Sequence, residues 1–135
     1  MKKPVKEIGF AVVLGIVCAV SQTFAAGKAG GSLQTLDTDH DGTVDLNESK
    51  TAAGAVFDRL DRDHDGTLSA QELKGRLSAK ELAAEDPDHD GTMTKDEYFA
   101  AVEKRFKAAN VDSDDTLDAR ELESRNGKAL QRLIR

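Results

Sequence analysis

The chain has 135 residues, 33% of them charged, and a formal net charge of −6. Phosphate backbones need basic surface, so this balance excludes nucleic acid as a natural partner. Aromatics make up 4% and cysteine occurs once, at Cys18, which excludes a disulfide framework or a thiolate cluster as the organising feature.

Lys2, Lys3 and Lys6 give a basic start, Ile8 to Val20 is an apolar run, and Thr23-Phe24-Ala25-Ala26 supplies small residues for cleavage. That order is the pattern of a secretory signal peptide, expected over residues 1–26. The apolar stretch falls short of the roughly 20 residues that span a bilayer, which argues against an uncleaved anchor. Val17 precedes Cys18 where a lipoprotein signal needs a small residue, so the thiol is expected to leave with the leader. Removing three Lys and one Glu then takes the charge to −8 for residues 27–135. A periplasmic protein with no membrane association after cleavage is the expectation.

Residues 27–32 (Gly-Lys-Ala-Gly-Gly-Ser) read as a flexible start. A twelve-residue pattern then begins at Asp37 and returns at Asp61, Asp86 and Asn110, intervals of 24, 25 and 24 residues. Oxygen-bearing residues at positions 1, 3, 5, 7 and 9, a Glu at 12, and Gly at 6 to permit the turn make up the EF-hand loop, built around a large hard cation. Its expected ligands are Asp37, Asp39, Asp41, the Thr43 carbonyl, Asp45 and Glu48 in loop 1. Loop 2 offers Asp61, Asp63, Asp65, the Thr67 carbonyl, Ser69 and Glu72; loop 3 offers Asp86, Asp88, Asp90, the Thr92 carbonyl, Thr94 and Glu97.

Loop 4 keeps Asp112, Asp114, the Thr116 carbonyl, Asp118 and Glu121 but starts with the neutral Asn110 and has Asp115 in place of Gly. Asp takes a positive φ only at a cost, so this loop is expected to be the weakest. His40, His64 and His89 all fall at position 4. That is not a ligand position, and exposed residues are expected there rather than a transition-metal site or pH switch.

Only 12, 13 and 12 residues separate one loop from the next, so each connector must serve as exit and entrance helix together. Ala52, Ala53, Val56, Phe57 and Leu60 form one apolar face of the first connector; Phe99, Val102, Phe106 and Ala109 do so in the third. A straight helix of that length runs about 18 Å, enough to carry the chain across the molecule. The second connector is weakened at Gly75, and Ser78-Ala79-Lys80-Glu81 is a capping box that starts a new helix. Loops 2 and 3 are therefore expected at one end and loops 1 and 4 at the other, with Val44, Leu68, Met93 and Leu117 at position 8 forming the contacts of each pair. A helix through Leu122 is expected to stop near Asn126-Gly127, with Leu130, Leu133 and Ile134 docking a short tail on the core.

The few aromatics and the mutually repelling carboxylates make a poor metal-free fold, so bound cations are expected to supply much of the stability. Beyond the loops, the chain resembles lanmodulin, the exported EF-hand family of methylotrophic bacteria that binds lanthanides selectively. The resemblance rests on the loop repeat, Glu72-Leu73-Lys74-Gly75-Arg76, Ala100-Ala101-Val102-Glu103, Phe106-Lys107-Ala108-Ala109-Asn110, Leu117-Asp118-Ala119-Arg120-Glu121-Leu122 and the ending Leu133-Ile134-Arg135. It implies an all-α fold, a compact three-helix bundle with metal loops at its periphery paired 2/3 and 1/4, and ordering on metal binding. Two of that family's marks are partial here. Pro at position 2 is matched by Pro87 but not by Thr38, Arg62 or Val111, and Asp at position 9 is matched by Asp45 and Asp118 but not by Ser69 or Thr94.

The expected function is binding of lanthanide(III) ions such as La³⁺ in uptake, delivery or buffering, with Ca²⁺ as a weaker or alternative ligand. A Ca²⁺ sensor or buffer and a Ca²⁺-stabilised, dockerin-like interaction module are the alternatives. No nucleophile and base sit together, so an enzyme is not expected. The sequence names no protein partner.

Overall fold

The computed structural model describes residues 30–135, so the expected signal peptide, its cleavage site and Cys18 lie outside the described residues. Six helices and one two-stranded sheet occur among them, in the order α1 (Gly30–Leu36), β1 (Val44–Asp45), α2 (Leu46–Leu60), α3 (Ala79–Glu85), α4 (Lys95–Ala109), β2 (Thr116–Leu117), α5 (Ala119–Glu123) and α6 (Arg125–Ile134). No described helix is long and apolar enough to cross a membrane.

The two long helices grow from the first and third connectors. Asp45 caps α2 and Thr94 caps α4, each inside a reciprocal box with the Glu three residues on. Both helices stop where the next loop begins, at Asp61 and Asn110, whose backbone N–H groups still bond to Phe57 and Phe106. The second connector breaks as its chemistry requires. Residues 70–76 form only turns, Gly75 sits at φ +86°, and Ser78 caps the short α3 with Glu81.

Helices α2, α4 and α6 pack on one another around the core. Ala53, Val56 and Phe57 from α2 meet Tyr98, Ala101, Val102 and Phe106 from α4, and Leu130, Leu133 and Ile134 from α6 complete the cluster. The Phe57 and Tyr98 rings meet edge to face at 5.7 Å, the arrangement that aromatic quadrupoles favour. Lys50 to Glu103 at 3.1 Å and Lys95 to Asp58 at 2.8 Å bridge the exposed seam of α2 and α4; such surface pairs add at most about 1 kcal/mol each.

Antiparallel contacts tie the acidic segments together. Val44 lies opposite Leu117 and Asp45 opposite Thr116; Thr67 lies opposite Thr94, where Leu68 and Met93 exchange backbone hydrogen bonds of 2.8 and 3.0 Å. All four position-8 side chains are fully buried, so each contact also anchors its loops to the core.

Two expectations need correction. Residues 30–32 are not a flexible start but the first turn of α1, held because Leu36 is buried and Leu33 packs against the core. Residues 27–29 lie outside the described part. The helix after loop 4 does not stop at Asn126-Gly127: it breaks at Ser124, which ends α5 and caps α6 by accepting the Gly127 N–H. Gly127 is there for close approach, since a Cβ would fall 2.1 Å from the Glu121 carbonyl oxygen and 2.5 Å from that of Leu122.

Candidate metal-binding loops

The backbone of each loop bends twice through the left-handed region. Position 6 does so at Gly42, Gly66 and Gly91, with φ of 84° to 92°, and loop 4 makes the same bend with Asp115 at φ 69°. Position 4 also has positive φ, at His40, His64, His89 and Ser113, and the three His are exposed. His is among the residues enriched in this conformation, so its recurrence at position 4 has a backbone reason. The ring of His40 adds a contact of 3.1 Å from Nδ1 to the Thr38 carbonyl.

The bends bring carboxylates together. One oxygen each from Asp37, Asp39 and Glu48 lies within 4.8 Å of the others; the same holds for Asp61, Asp63 and Glu72, and for Asp86, Asp88 and Glu97. The first Asp of each loop is the least exposed member, 9%, 8% and 3% for Asp37, Asp61 and Asp86. Each also accepts the N–H of the position-6 Gly, at 3.0 Å from Gly42, 3.2 Å from Gly66 and 2.9 Å from Gly91. Position 1 thus holds the turn closed from inside.

The other expected ligands are placed by local bonds. Asp41, Asp65, Asp90 and Asp114 at position 5 each accept both the N–H and the hydroxyl of the Thr two residues on, at 2.7 to 2.9 Å. This fixes Thr43, Thr67, Thr92 and Thr116 at position 7. Position 9 works as a helix cap: Asp45, Thr94 and Asp118 accept the N–H of Glu48, Glu97 and Glu121, and Ser69 makes the same exchange with Glu72. The Glu at 12 then reaches back across the loop. Its Oε1 accepts the position-2 N–H, from Thr38 at 2.6 Å, Arg62 at 3.1 Å and Val111 at 2.7 Å. Pro87 has no N–H to give, so loop 3 closes without that strap.

In loop 4, Asn110 accepts the N–H of Ser113 at 2.7 Å, whereas Asp37, Asp61 and Asp86 reach on to position 6. Among the described residues its acidic side chains form no converging trio like those of the other loops. Val111 stands 79% exposed beside it.

Crowding of like charge shows in the proton affinities. The Asp41 N–H lowers that of Asp39, but desolvation and repulsion from Asp41, Glu48 and Asp37 outweigh it and hold Asp39 above the usual carboxylate range. A shared hydrogen bond with Asp86 raises Asp88 in the same sense, helped by desolvation and by Asp90 and Glu97. Glu72 is lowered by the N–H and hydroxyl of Ser69 and by the N–H of Arg62. For Glu48, desolvation pushes upward, but N–H bonds from Asp45 and Thr38 prevail and it ends low. Glu48 and Glu72 are therefore kept ionised while Asp39 and Asp88 are strained by their neighbours. A cation at the centre would relieve that strain.

One atom tests the fit directly. Asp61 Oδ1 is buried and has no hydrogen-bond partner among the described residues, an arrangement that costs about 1–3 kcal/mol or more for a charged group unless something else satisfies it. Asp61 belongs to a converging trio of carboxylates, the hard oxygen donor set that Ca²⁺ and similar ions take.

Sequence reasoning identified the acidic positions but missed three partners. Thr38 donates through both N–H and hydroxyl to Glu48. Arg76 and Tyr98, just past loops 2 and 3, donate to α6. An Arg four residues after Glu72 and a Tyr directly after Glu97 carry no spacing signal for such contacts.

A family model described as EF hand matches residues 32–48 and 54–77, which span loops 1 and 2. No curated protein matches the chain. The matched segments and the carboxylate trios together support EF-hand loops with metal-binding capacity in this protein.

Proposed function

We propose that this protein is exported and binds trivalent lanthanide ions through its EF-hand loops, ordering as it does so, in uptake, delivery or buffering of the metal. The observation that carries the reading is the convergence of three carboxylates in each of loops 1, 2 and 3, with a buried, unpaired oxygen on Asp61. Coulomb attraction scales with ion charge, so every added carboxylate favours a 3+ ion over a 2+ ion of similar size. Loop 1 adds Asp45 at position 9, beside Asp37, Asp39, Asp41 and Glu48, and is the strongest candidate for a trivalent ion.

A Ca²⁺ sensor or buffer is the second reading. Ser69 and Thr94 favour it, since they put neutral hydroxyls at position 9 of loops 2 and 3.

Terbium luminescence separates the two. Tyr98 is the sole tyrosine, the chain has no tryptophan, and Tyr98 directly follows Glu97, so excitation of that ring reports on Tb³⁺ in loop 3. The proposal expects sensitised emission at micromolar Tb³⁺ that survives millimolar Ca²⁺ and is displaced by La³⁺. Displacement by Ca²⁺ at concentrations comparable to Tb³⁺ would transfer the assignment to the calcium reading.

A further inference from the structure

Helix α6 is tied down at its two ends by different loops. It starts beside loop 4, where Ser124 is at once the last cap of α5 and the first cap of α6, and Gln131 donates to the Leu122 carbonyl at 2.7 Å. Its other end is held from the exits of loops 2 and 3. Tyr98 donates its phenol to the Leu133 carbonyl at 2.6 Å in a buried position. Arg76 donates to the carbonyls of Arg132 at 2.7 Å and Arg135 at 2.5 Å. Arg105 on α4 adds a bond of 3.1 Å to Ala129, and Arg132 lies 3.3 Å from Glu81.

Those contacts fall where a helix needs them. The last four carbonyls have no partner inside the helix and carry the negative end of its dipole, so a guanidinium and a phenol satisfy them from outside. Both donors stand close along the chain to a loop-closing Glu: Tyr98 is the next residue after Glu97, and Arg76 is four residues after Glu72. Between Glu72 and Arg76 there is no regular helix, only turns, and the buried Leu73 and Leu77 flank Arg76, so Arg76 is placed by the packing of this turn together with the loop end that Glu72 fixes. The face of α6 that these donors press down carries Leu130, Leu133 and Ile134, all buried.

We propose that α6 is a latch closed by loops 2 and 3. Metal held by Glu72 and Glu97 sets Arg76 and Tyr98 in place, and these positioning residues clamp the C-terminal half of α6 onto the core. Without metal the clamp slackens and the apolar face of α6 is released. The inference rests on the metal-binding reading above and adds which segment answers to which sites. Since coupling is reciprocal, loosening the clamp must also weaken metal binding at loops 2 and 3, although neither Arg76 nor Tyr98 is among the expected ligands.

Hydrogen exchange on the full chain tests this, read at the amides of residues 130–135 with and without La³⁺. Saturating La³⁺ is expected to slow their exchange about tenfold or more, as for a segment passing from local opening to core protection. Glu97→Gln is expected to abolish that protection and Glu48→Gln to leave it. Tyr98→Phe keeps the ring against Phe57 and removes only the hydroxyl; alone, and combined with Arg76→Gln, it is expected to restore fast exchange in α6 at saturating metal. Its metal affinity at loop 3 is expected to fall several-fold while that of loop 1 holds.

Equal protection of α6 with and without metal, protection that follows loop 1 instead of loop 3, or a Tyr98→Phe protein with α6 still protected would each overturn the latch. The ion enters separately. If Ca²⁺ closes α6 as well as La³⁺ does at equal free concentration, the lanthanide reading falls and the latch stands; if La³⁺ binds and α6 stays open, the reverse holds.

Discussion

Asp45 and Glu48 hold each other: the Asp45 carboxylate accepts the Glu48 N–H at 2.7 Å, and Glu48 accepts the Asp45 N–H at 3.0 Å. Positions 9 and 12 of loop 1 are therefore joined in the first turn of α2, and a side chain expected to bind metal also starts a helix. Removing it by Ala would lose a cap, about 1 kcal/mol, together with a charge. Asp45→Asn separates the two, because Asn caps as well as Asp but is neutral. The variant is expected to retain the thermal stability of the metal-free protein and to lose La³⁺ affinity at loop 1 by a larger factor than Ca²⁺ affinity. Isothermal titration showing equal factors for the two ions would remove charge count as the source of preference.

Loop 4 gives a backbone test. Asp115 holds φ 69° where the other loops have Gly, a conformation that costs a non-glycine residue about 1 kcal/mol. Asp115→Gly is expected to raise metal affinity at loop 4 by roughly fivefold, measured by metal counting or luminescence lifetime. No gain, or a loss, would show that the neutral Asn110 rather than the turn limits that loop.

Much of this was legible in the sequence because loop chemistry is local. The capping box at Ser78 was read from its spacing and stands with Glu81, and the apolar faces of the first and third connectors became α2 and α4. The break after loop 4 is not legible in the sequence, because Asn-Gly is a stop signal in isolation, while here Ser124 and the packing of Gly127 on the Glu121 and Leu122 carbonyls decide otherwise. Tertiary approach of that kind leaves no mark in local spacing. The same holds for Arg76 and Tyr98, whose partners on α6 lie 56 and 35 residues away.

Gly127 supplies the matching stability prediction. A methyl group at 2.1 Å from a backbone oxygen forces α5 and α6 apart, so Gly127→Ala is expected to destabilise the metal-loaded protein by about 3 kcal/mol, the upper range for overpacking. Chemical denaturation in saturating metal measures it. A neutral result would mean that the α5 to α6 junction is not packed as described.

Acid should act in opposite directions on the two states. Asp39 and Asp88 sit above the usual range in the fold, so protonation favours the folded chain, and the stability they withhold at neutral pH returns as pH falls through their folded values. Glu48 and Glu72 are lowered, so their contribution persists until more acid pH, below about 4.3. Metal-free helicity is therefore expected to rise as pH falls from 7 toward the usual carboxylate range, while La³⁺ affinity falls over the same interval as protons compete for the carboxylates. Circular dichroism of the metal-free chain that is flat or falling across that range would contradict the account of loop repulsion.

On the proposed function, a trivalent ion gathers the carboxylate trios and orders the chain better than a divalent one does. Helicity followed by circular dichroism, with La³⁺ and Ca²⁺ each buffered to the same free concentrations, tests it most directly. A sharp rise is expected with micromolar La³⁺, and a smaller response requiring far more Ca²⁺; superimposable curves for the two ions would rule out the preference for a trivalent ion.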